Sequence, residues 1–329
     1  MFDALPRFFV AVFVGALLTF LWGITNWDYQ IRTETRDQSA FFAKLNAEVP
    51  CRNLLTSDAA INENVSSSTA SSLNTCDLRT YSQQEALRCM KKFKATKSRP
   101  AHFAFIGDSR IRQLRDGIRF HLTGVEKDWL SNASVKGTSD EICKHENQQT
   151  TLWRVPIRLD FFWAPKILMA ADVVRHALLP AKTGYPKSSI PDVVIVGCGI
   201  WRIQTCIAQK VNQTECFQEY KRDFLELLSL FKRITSETLI LWVPQNLLTV
   251  KASWSKDADW YSDASMNTLN DAIRTSLEVA ATRRVVYWKT FEKTFKRTDS
   301  LDGIHLGPQA RWTDVQILFN VFCNDVPMR

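Results

Sequence analysis

His102-Phe103-Ala104-Phe105-Ile106-Gly107-Asp108-Ser109-Arg110-Ile111-Arg112-Gln113-Leu114 is the stretch that decides how this chain is read. Its first five residues form an apolar run of strand length. Gly107-Asp108-Ser109 then interrupts the run. From residue 109 to 122 the apolar residues Ile111, Leu114, Ile118 and Leu122 recur at helical spacing. The stretch therefore predicts strand, tight turn, helix. An Asp or Ser at such a turn is an ordinary helix N-cap, accepting hydrogen bonds from orphan backbone N–H groups. The same geometry suits a nucleophilic serine, because a helix N-terminus presents N–H groups and partial positive charge where an oxyanion develops.

Four more apolar runs follow, at Ile157-Trp163, Asp192-Val196, Thr238-Val243 and Arg284-Trp288. Helical patterns lie between and after them, near 166–178, 215–234, 261–281 and 308–321. Val193-Val194-Ile195-Val196 is too continuous for a half-exposed strand and reads as buried on both faces. Alternating strands and helices predict an α/β protein, a three-layer α/β/α sandwich with a central parallel sheet. Ligands bind such sheets at the carboxyl ends of the strands, where the strand order reverses. Gly107-Asp108-Ser109 and Gly197-Cys198-Gly199 both fall at such ends.

A serine hydroxyl is a weak nucleophile until a base takes its proton, and histidine held by a carboxylate is the usual base. The chain has five histidines, and His305 has an aspartate three residues before it, in the turn Leu301-Asp302-Gly303-Ile304-His305. Alone, that is a commonplace Asp-Gly turn. Together with the serine turn it predicts a triad of Ser109, His305 and Asp302. Arg110 and Arg112 follow the serine directly and are candidates to hold a phosphate or carboxylate. Asp160 and Trp163 close a predicted strand and are candidates to line the pocket, although a core role also suits Trp163.

The remaining sequence sets the context. Of 329 residues, 45% are apolar and 23% charged, which is ordinary for a globular protein with a sizeable core. The net charge of +8 is scattered, with no basic run, so nucleic-acid binding is not expected. Phe8 to Trp27 carries no charge and is long enough to span a bilayer, with Trp22 and Trp27 toward one end. Bulky Leu21-Trp22 and Asn26-Trp27 make a poor cleavage site, which favours an uncleaved anchor over a signal peptide. Arg7 before the span and Arg32 and Arg36 after it leave the orientation undecided. Eight cysteines, with no Cys-x-x-Cys pair, point to disulfides rather than a metal site. Cys206 and Cys216 can close a short loop, Cys51 and Cys76 can staple a polar stretch, and Cys198 reads as a buried thiol. Sequons at Asn64, Asn132 and Asn212, beside these cysteines, favour a luminal or extracellular body. The expected organisation is a tail at 1–7, a transmembrane anchor at 8–27, a stem and Cys/Ser-rich entry segment at 28–99, and a catalytic domain at 100–326.

The serine and histidine turns resemble the first and last blocks of SGNH-type esterases and acetyltransferases. The likeness extends to the luminal domain of animal sialic acid (N-acetylneuraminate) 9-O-acetyltransferases. It rests on the 102–114 stretch, Lys144-His145-Glu146-Asn147, Asp160-Phe161-Phe162-Trp163, Ser300 to Leu306 and Asn320-Val321-Phe322-Cys323-Asn324, with Cys51-Arg52-Asn53-Leu54-Leu55 and Cys76 as an entry segment. It implies an acetyl ping-pong. Ser109 is acetylated by acetyl-CoA, the donor substrate, with no bound cofactor. His305 then activates a hydroxyl of sialic acid, CMP-sialic acid or another glycan, and Asp302 orients His305. It also implies a Golgi membrane protein with its catalytic domain in the lumen. Two departures stand out. Many SGNH enzymes carry an oxyanion-binding asparagine in a Gly-x-Asn-Asp block, whereas this chain has Gly197-Cys198-Gly199. The oxyanion would then rest on the Ser109 backbone N–H and another donor, for which Gly199 is the candidate. The family also carries a multi-span membrane domain after a segment like Asn320-Asn324, so acetyl supply here calls for a multi-span membrane partner. The chain is then a fragment, a short form or a stand-alone form. An acetylesterase with the same triad, and a glycan-binding protein without activity, are the rival expectations.

Overall fold

A computed structural model describes residues 53–56, 79–97, 99–124, 145–152, 155–179, 190–234, 238–247, 257, 259–280, 285–294 and 304–323. The expected anchor at 8–27, most of the stem, Asn64, Asn132, Cys51, Cys76 and Asp302 lie outside the described residues. Among the described residues no helix is long and apolar enough to cross a membrane.

The elements run α1 (Asn53–Thr56), α2 (Gln83–Lys97), β1 (Ala101–Gly107), α3 (Ser109–Thr123), β2 (Gln148–Leu152), β3 (Ile157–Trp163) and α4 (Ile167–Val173). α4 continues into a π-helical turn, Val174–Leu178. There follow β4 (Val193–Gly197), α5 (Ile200–Gln209), α6 (Gln213–Phe231), β5 (Leu239–Trp242), α7 (Asp263–Val279), β6 (Val285–Tyr287), α8 (Lys289–Thr294) and α9 (Pro308–Cys323). The five apolar runs are the five strands β1, β3, β4, β5 and β6, within a residue or two of the expected ends.

The sheet order is β2-β3-β1-β4-β5-β6. β3, β1, β4, β5 and β6 are parallel, and β2 adds an antiparallel edge. The expected central parallel sheet is present, with one antiparallel edge strand added to it. The polar β2, Gln-Gln-Thr-Thr-Leu, suits an edge, where one long side faces water. Residue alternation sorts the strands into two cores. Phe103, Phe105, Leu159, Ile195 and Leu241 face one layer, packed with residues of α2, α3 and α9. Ala104, Ile106, Val194, Val196 and Trp242 face the other, with residues of α4, α6 and α7. The result is the expected three-layer sandwich.

The first layer begins before residue 100. Leu55, Tyr81, Ala86, Cys89 and Met90 are buried in the same core as β1 and α9. Gln316 of α9 accepts from the Tyr81 backbone N–H at 2.6 Å, and Asn320 accepts from the Arg79 N–H at 3.0 Å. A disulfide joins Cys89 of α2 to Cys323 at the end of α9, and a second joins Cys206 to Cys216. Cys198 is a free, buried thiol. The Asn212 sequon falls at a helix start, where Asn212 Oδ1 accepts from the Glu215 N–H as the N-cap of α6.

The chain leaves β1 through α3 to reach β3 on one side, then crosses through α4 to β4 on the other. The order therefore reverses between β1 and β4, whose carboxyl ends meet at the register pair Gly107 and Gly197. Glycine at 107 is a steric requirement. A Cβ there would lie 2.1 Å from the Gly197 carbonyl oxygen and 2.6 Å from Ile111 Cγ1, at φ +156°. The close approach brings the first turn of α3 over the end of β4.

Candidate active site

The carboxyl edge of β1 builds the site from the chain direction alone. Asp108 is the N-cap of α3, its carboxylate accepting from the Arg110 backbone N–H at 3.0 Å. Ser109 follows as the first helical residue, half-buried. Residues 304–307, just before α9, lie at the same edge, and there His305 Nε2 lies 2.6 Å from Ser109 Oγ. Residues 196 apart in sequence are thus in direct hydrogen-bond contact, within the range a base needs to take a hydroxyl proton. Asp302, which would orient the imidazole, lies outside the described residues.

The two halves of the pair are joined by a buried bridge that the sequence did not announce. Arg110 is 1% exposed and Asp108 0%. The Arg110 guanidinium donates to both Asp108 carboxylate oxygens, Nε at 3.2 Å and Nη2 at 3.0 Å. Its Nη1 donates to the Pro244 carbonyl at 2.7 Å and to Asn246 Oδ1 at 3.3 Å. Asn246 Nδ2 donates in turn to the Ile304 carbonyl at 2.9 Å, one residue before His305. Arg110 is therefore not the ligand-binding arginine expected from its position. It is consumed in tying the helix of Ser109 to the segment of His305. Arg112 is half-buried on the same helix.

Asp160 is corrected likewise. It sits in the middle of β3, paired with Ala104, not at the strand's carboxyl end. His102 Nε2 lies 2.9 Å from one carboxylate oxygen, and Arg158 Nε donates to the other at 3.0 Å. Burial pushes the Asp160 carboxyl up, but the hydrogen bonds from His102 and Arg158 outweigh it and hold it below the ordinary aspartate value. This carboxylate is part of a structural ion cluster.

Trp163 does reach the edge, in register with Gly107. His145 stacks on it, centroids 4.2 Å apart, and Trp201 of α5 stands perpendicular to both rings. Asn147 Oδ1 accepts from the Trp163 N–H at 2.9 Å. The 145–147 segment is thereby given a role: it covers the end of β3 and completes an aromatic wall two residues in register from the serine. Cys198 lies at the end of β4. Burial, reinforced by Asp108, pushes its thiol well up, so it is a neutral sulfhydryl and not a rival nucleophile. Tyr220 OH donates to the Cys198 carbonyl at 2.7 Å, and burial likewise raises the Tyr220 phenol.

Gly199 ends the β4 turn and begins α5. A Cβ there would come within 2.7 to 2.9 Å of the Gln245 side chain. Gln245 and Asn246 follow β5 at its carboxyl end. The rule that directed attention to the ends of β1 and β4 applies there too, and was the signal available for them. Among the described residues no cluster of His, Cys, Asp and Glu is arranged to hold a metal ion.

A serine at a helix N-terminus, a histidine against it, and both at the switch point of a doubly wound sheet have the layout of SGNH-type acyl-transfer enzymes, which comprise acyltransferases and esterases. The chain is similar to N-acetylneuraminate (7)9-O-acetyltransferase of Danio rerio, with 23% identity over 263 residues. The match covers 76% of this chain and 28% of the zebrafish protein. Among solved structures, the acetylxylan esterase Axe2 of Geobacillus stearothermophilus aligns with 70% of this chain and 98% of its own, at 14% identity and a TM-score of 0.38. A protein from Parabacteroides merdae described as a GDSL-like lipase aligns with 66% of this chain and 96% of its own, at 16% identity and a TM-score of 0.39. No protein-family model matches the chain.

Proposed function

We propose that the chain is a glycan O-acetyltransferase that moves acetyl from acetyl-CoA to a hydroxyl of a sialic acid or related sugar through an acetyl-serine. The observation that carries this reading is the 2.6 Å contact of Ser109 Oγ with His305 Nε2 at the N-terminus of α3. His305 Nε2 takes the serine proton as Oγ forms a bond to the thioester carbonyl carbon. The C–S bond then breaks, and the proton passes to the departing thiolate. In the second half a sugar hydroxyl gives its proton to His305 and attacks the acetyl carbon. The Ser109 ester bond breaks, and the proton returns to Oγ. Asp302 would hold the tautomer and stabilise the imidazolium. Similarity to the zebrafish acetyltransferase over 76% of the chain supports transfer to a sugar. The disulfides Cys89–Cys323 and Cys206–Cys216 support an oxidising compartment, in keeping with a luminal domain behind an anchor at 8–27.

Water can take the acetyl group through the same steps, so a sugar acetylesterase is the second reading. Intact mass of the full chain mixed with acetyl-CoA separates them. An acetyl increment on the wild type, absent in Ser109→Ala and discharged on adding CMP-sialic acid, free sialic acid or a neutral glycan, supports transfer and ranks the acceptors. A protein that deacetylates 9-O-acetyl sialic acid and never accepts acetyl from acetyl-CoA is an esterase.

A further inference from the structure

Acyl transfer at Ser109 places negative charge on the former carbonyl oxygen, and the Gly197-Cys198-Gly199 turn offers no side-chain amide to meet it. The side chain missing at 199 has a substitute from the next strand. Val196 pairs with Trp242, so three residues further on Gly199 lies beside Gln245. Gly107 pairs with Gly197, and Ser109 and Gly199 each follow two residues past those paired ends. Ser109, Gly199 and Gln245 thus each lie just beyond the carboxyl end of one of three neighbouring strands, β1, β4 and β5.

Gln245 fills the volume that a side chain on Gly199 would take. A Cβ at 199 would lie 2.7 Å from Gln245 Nε2, 2.8 Å from Cδ and 2.9 Å from Cγ. The backbone of Gln245 is fixed. Its N–H donates to Asn270 Oδ1 at 2.7 Å, and its carbonyl accepts from Asn270 Nδ2 at 2.8 Å. The residue is 2% exposed, and its Nε2 is buried with no hydrogen-bond partner among the described residues. A buried amide donor without an acceptor is rare and costly in a native protein unless a ligand completes it. The neighbouring residue, Asn246, holds the Ile304 carbonyl beside the base, so the same short segment touches both His305's loop and the end of β4.

We infer that Gln245 is a catalytic residue whose Nε2 donates to the oxyanion formed when Ser109 attacks an acetyl carbonyl, in place of a side chain at position 199. No bond of Gln245 forms or breaks. The amide donates while the carbonyl oxygen carries charge and releases it when the leaving group departs. The inference deepens, and rests on, the acyl-serine reading above.

Acylation by p-nitrophenyl acetate tests it on the full chain, because release of p-nitrophenolate needs neither the natural donor nor the acceptor. Gln245→Met keeps the length of the side chain and removes the donor. Its acylation rate should fall about 10²–10³-fold with KM within about threefold. Its Tm should hold or rise, since an unsatisfied buried donor has gone. A merely structural glutamine would instead lower Tm and leave the rate per folded molecule alone. Gly199→Asn with Gln245→Ala puts an amide back from the other strand and should recover at least tenfold over Gln245→Ala. Gln245→Glu serves if the methionine variant does not fold, and should be at least as slow. A rate within threefold of wild type in whichever variant folds overturns the inference while leaving the acyl-serine reading in place. A wild type with no Ser109-dependent acylation overturns both.

Discussion

Replacing Arg110 by methionine tests whether the buried bridge is structural. The side chain is 1% exposed and its partner Asp108 is 0% exposed. The guanidinium closes on Asp108 at 3.0 and 3.2 Å and on the Pro244 carbonyl at 2.7 Å. Methionine keeps much of the volume and none of the donors. It strands a desolvated carboxylate and an unpaired carbonyl, and breaking one side of a buried pair costs about 3–5 kcal/mol. In a domain of this size that is a fall in Tm on the order of 10 °C. Adding Asp108→Asn removes the stranded charge while an asparagine still caps α3, so the double variant should regain about 1–2 kcal/mol. Urea unfolding followed by circular dichroism, on both variants and the wild type, reads these differences. A single variant within about 1 kcal/mol of wild type would refute the bridge. If its KM for acetyl-CoA also rose at full stability, Arg110 would be the substrate arginine that its place in the sequence first suggested.

Other outcomes follow from the same geometry. Asn246→Ala removes the amide that donates to the Ile304 carbonyl, so His305 should sit less well against Ser109, with kcat falling about 10–100-fold at nearly constant KM in steady-state assays. Loss of the Cys89–Cys323 disulfide, which spans 234 residues, should cost about 5 kcal/mol on the chain-entropy relation, against about 3 kcal/mol for the ten-residue Cys206–Cys216 link. Unfolding of Cys→Ser pairs would show the order reversed if the reasoning fails. Asp160 has a depressed pKa in the folded state. Its contribution is therefore complete above the ordinary aspartate value of about 3.9 and fades as pH falls through the lower folded value. Asp160→Asn should cost about 2–3 kcal/mol at pH 7 and progressively less as pH falls below about 3.9; a cost that stays constant as pH falls through the acid range would rule out the carboxylate as the cause.

The five apolar runs were legible because each strand is buried on both faces, or nearly so, and burial leaves a continuous signature. β2 left none: Gln-Gln-Thr-Thr-Leu is an edge strand that has little to bury. α5 was hidden for a different reason. Its ten residues follow Gly197-Cys198-Gly199 directly, and Ile203 and Cys206 are its buried positions, too few to show a period beside a turn. Of the site, Ser109 and His305 could be paired on paper, since each ends a recognisable pattern and each is a residue type with one obvious chemistry. Arg110 could not be placed. One step along a helix is about 100°, and which side faces inward depends on where Pro244 and Asn246 come to lie, 134 residues or more away. Gln245 carries no motif at all. It becomes conspicuous when the sheet sets it against a glycine at the end of the strand next to the serine's.

The strap formed by α9 has a consequence for the life of the chain. His305 immediately precedes that helix, and the helix is held by Gln316 to Tyr81, by Asn320 to Arg79 and by the Cys89–Cys323 disulfide. During synthesis Ser109 emerges and can fold onto β1 long before His305 is made. Until α9 docks and the Cys89–Cys323 bond closes, Ser109 stands without the imidazole that meets it in the folded chain. On the proposed acyl-serine reading, a polypeptide that stalls before α9 is inert toward activated acyl groups.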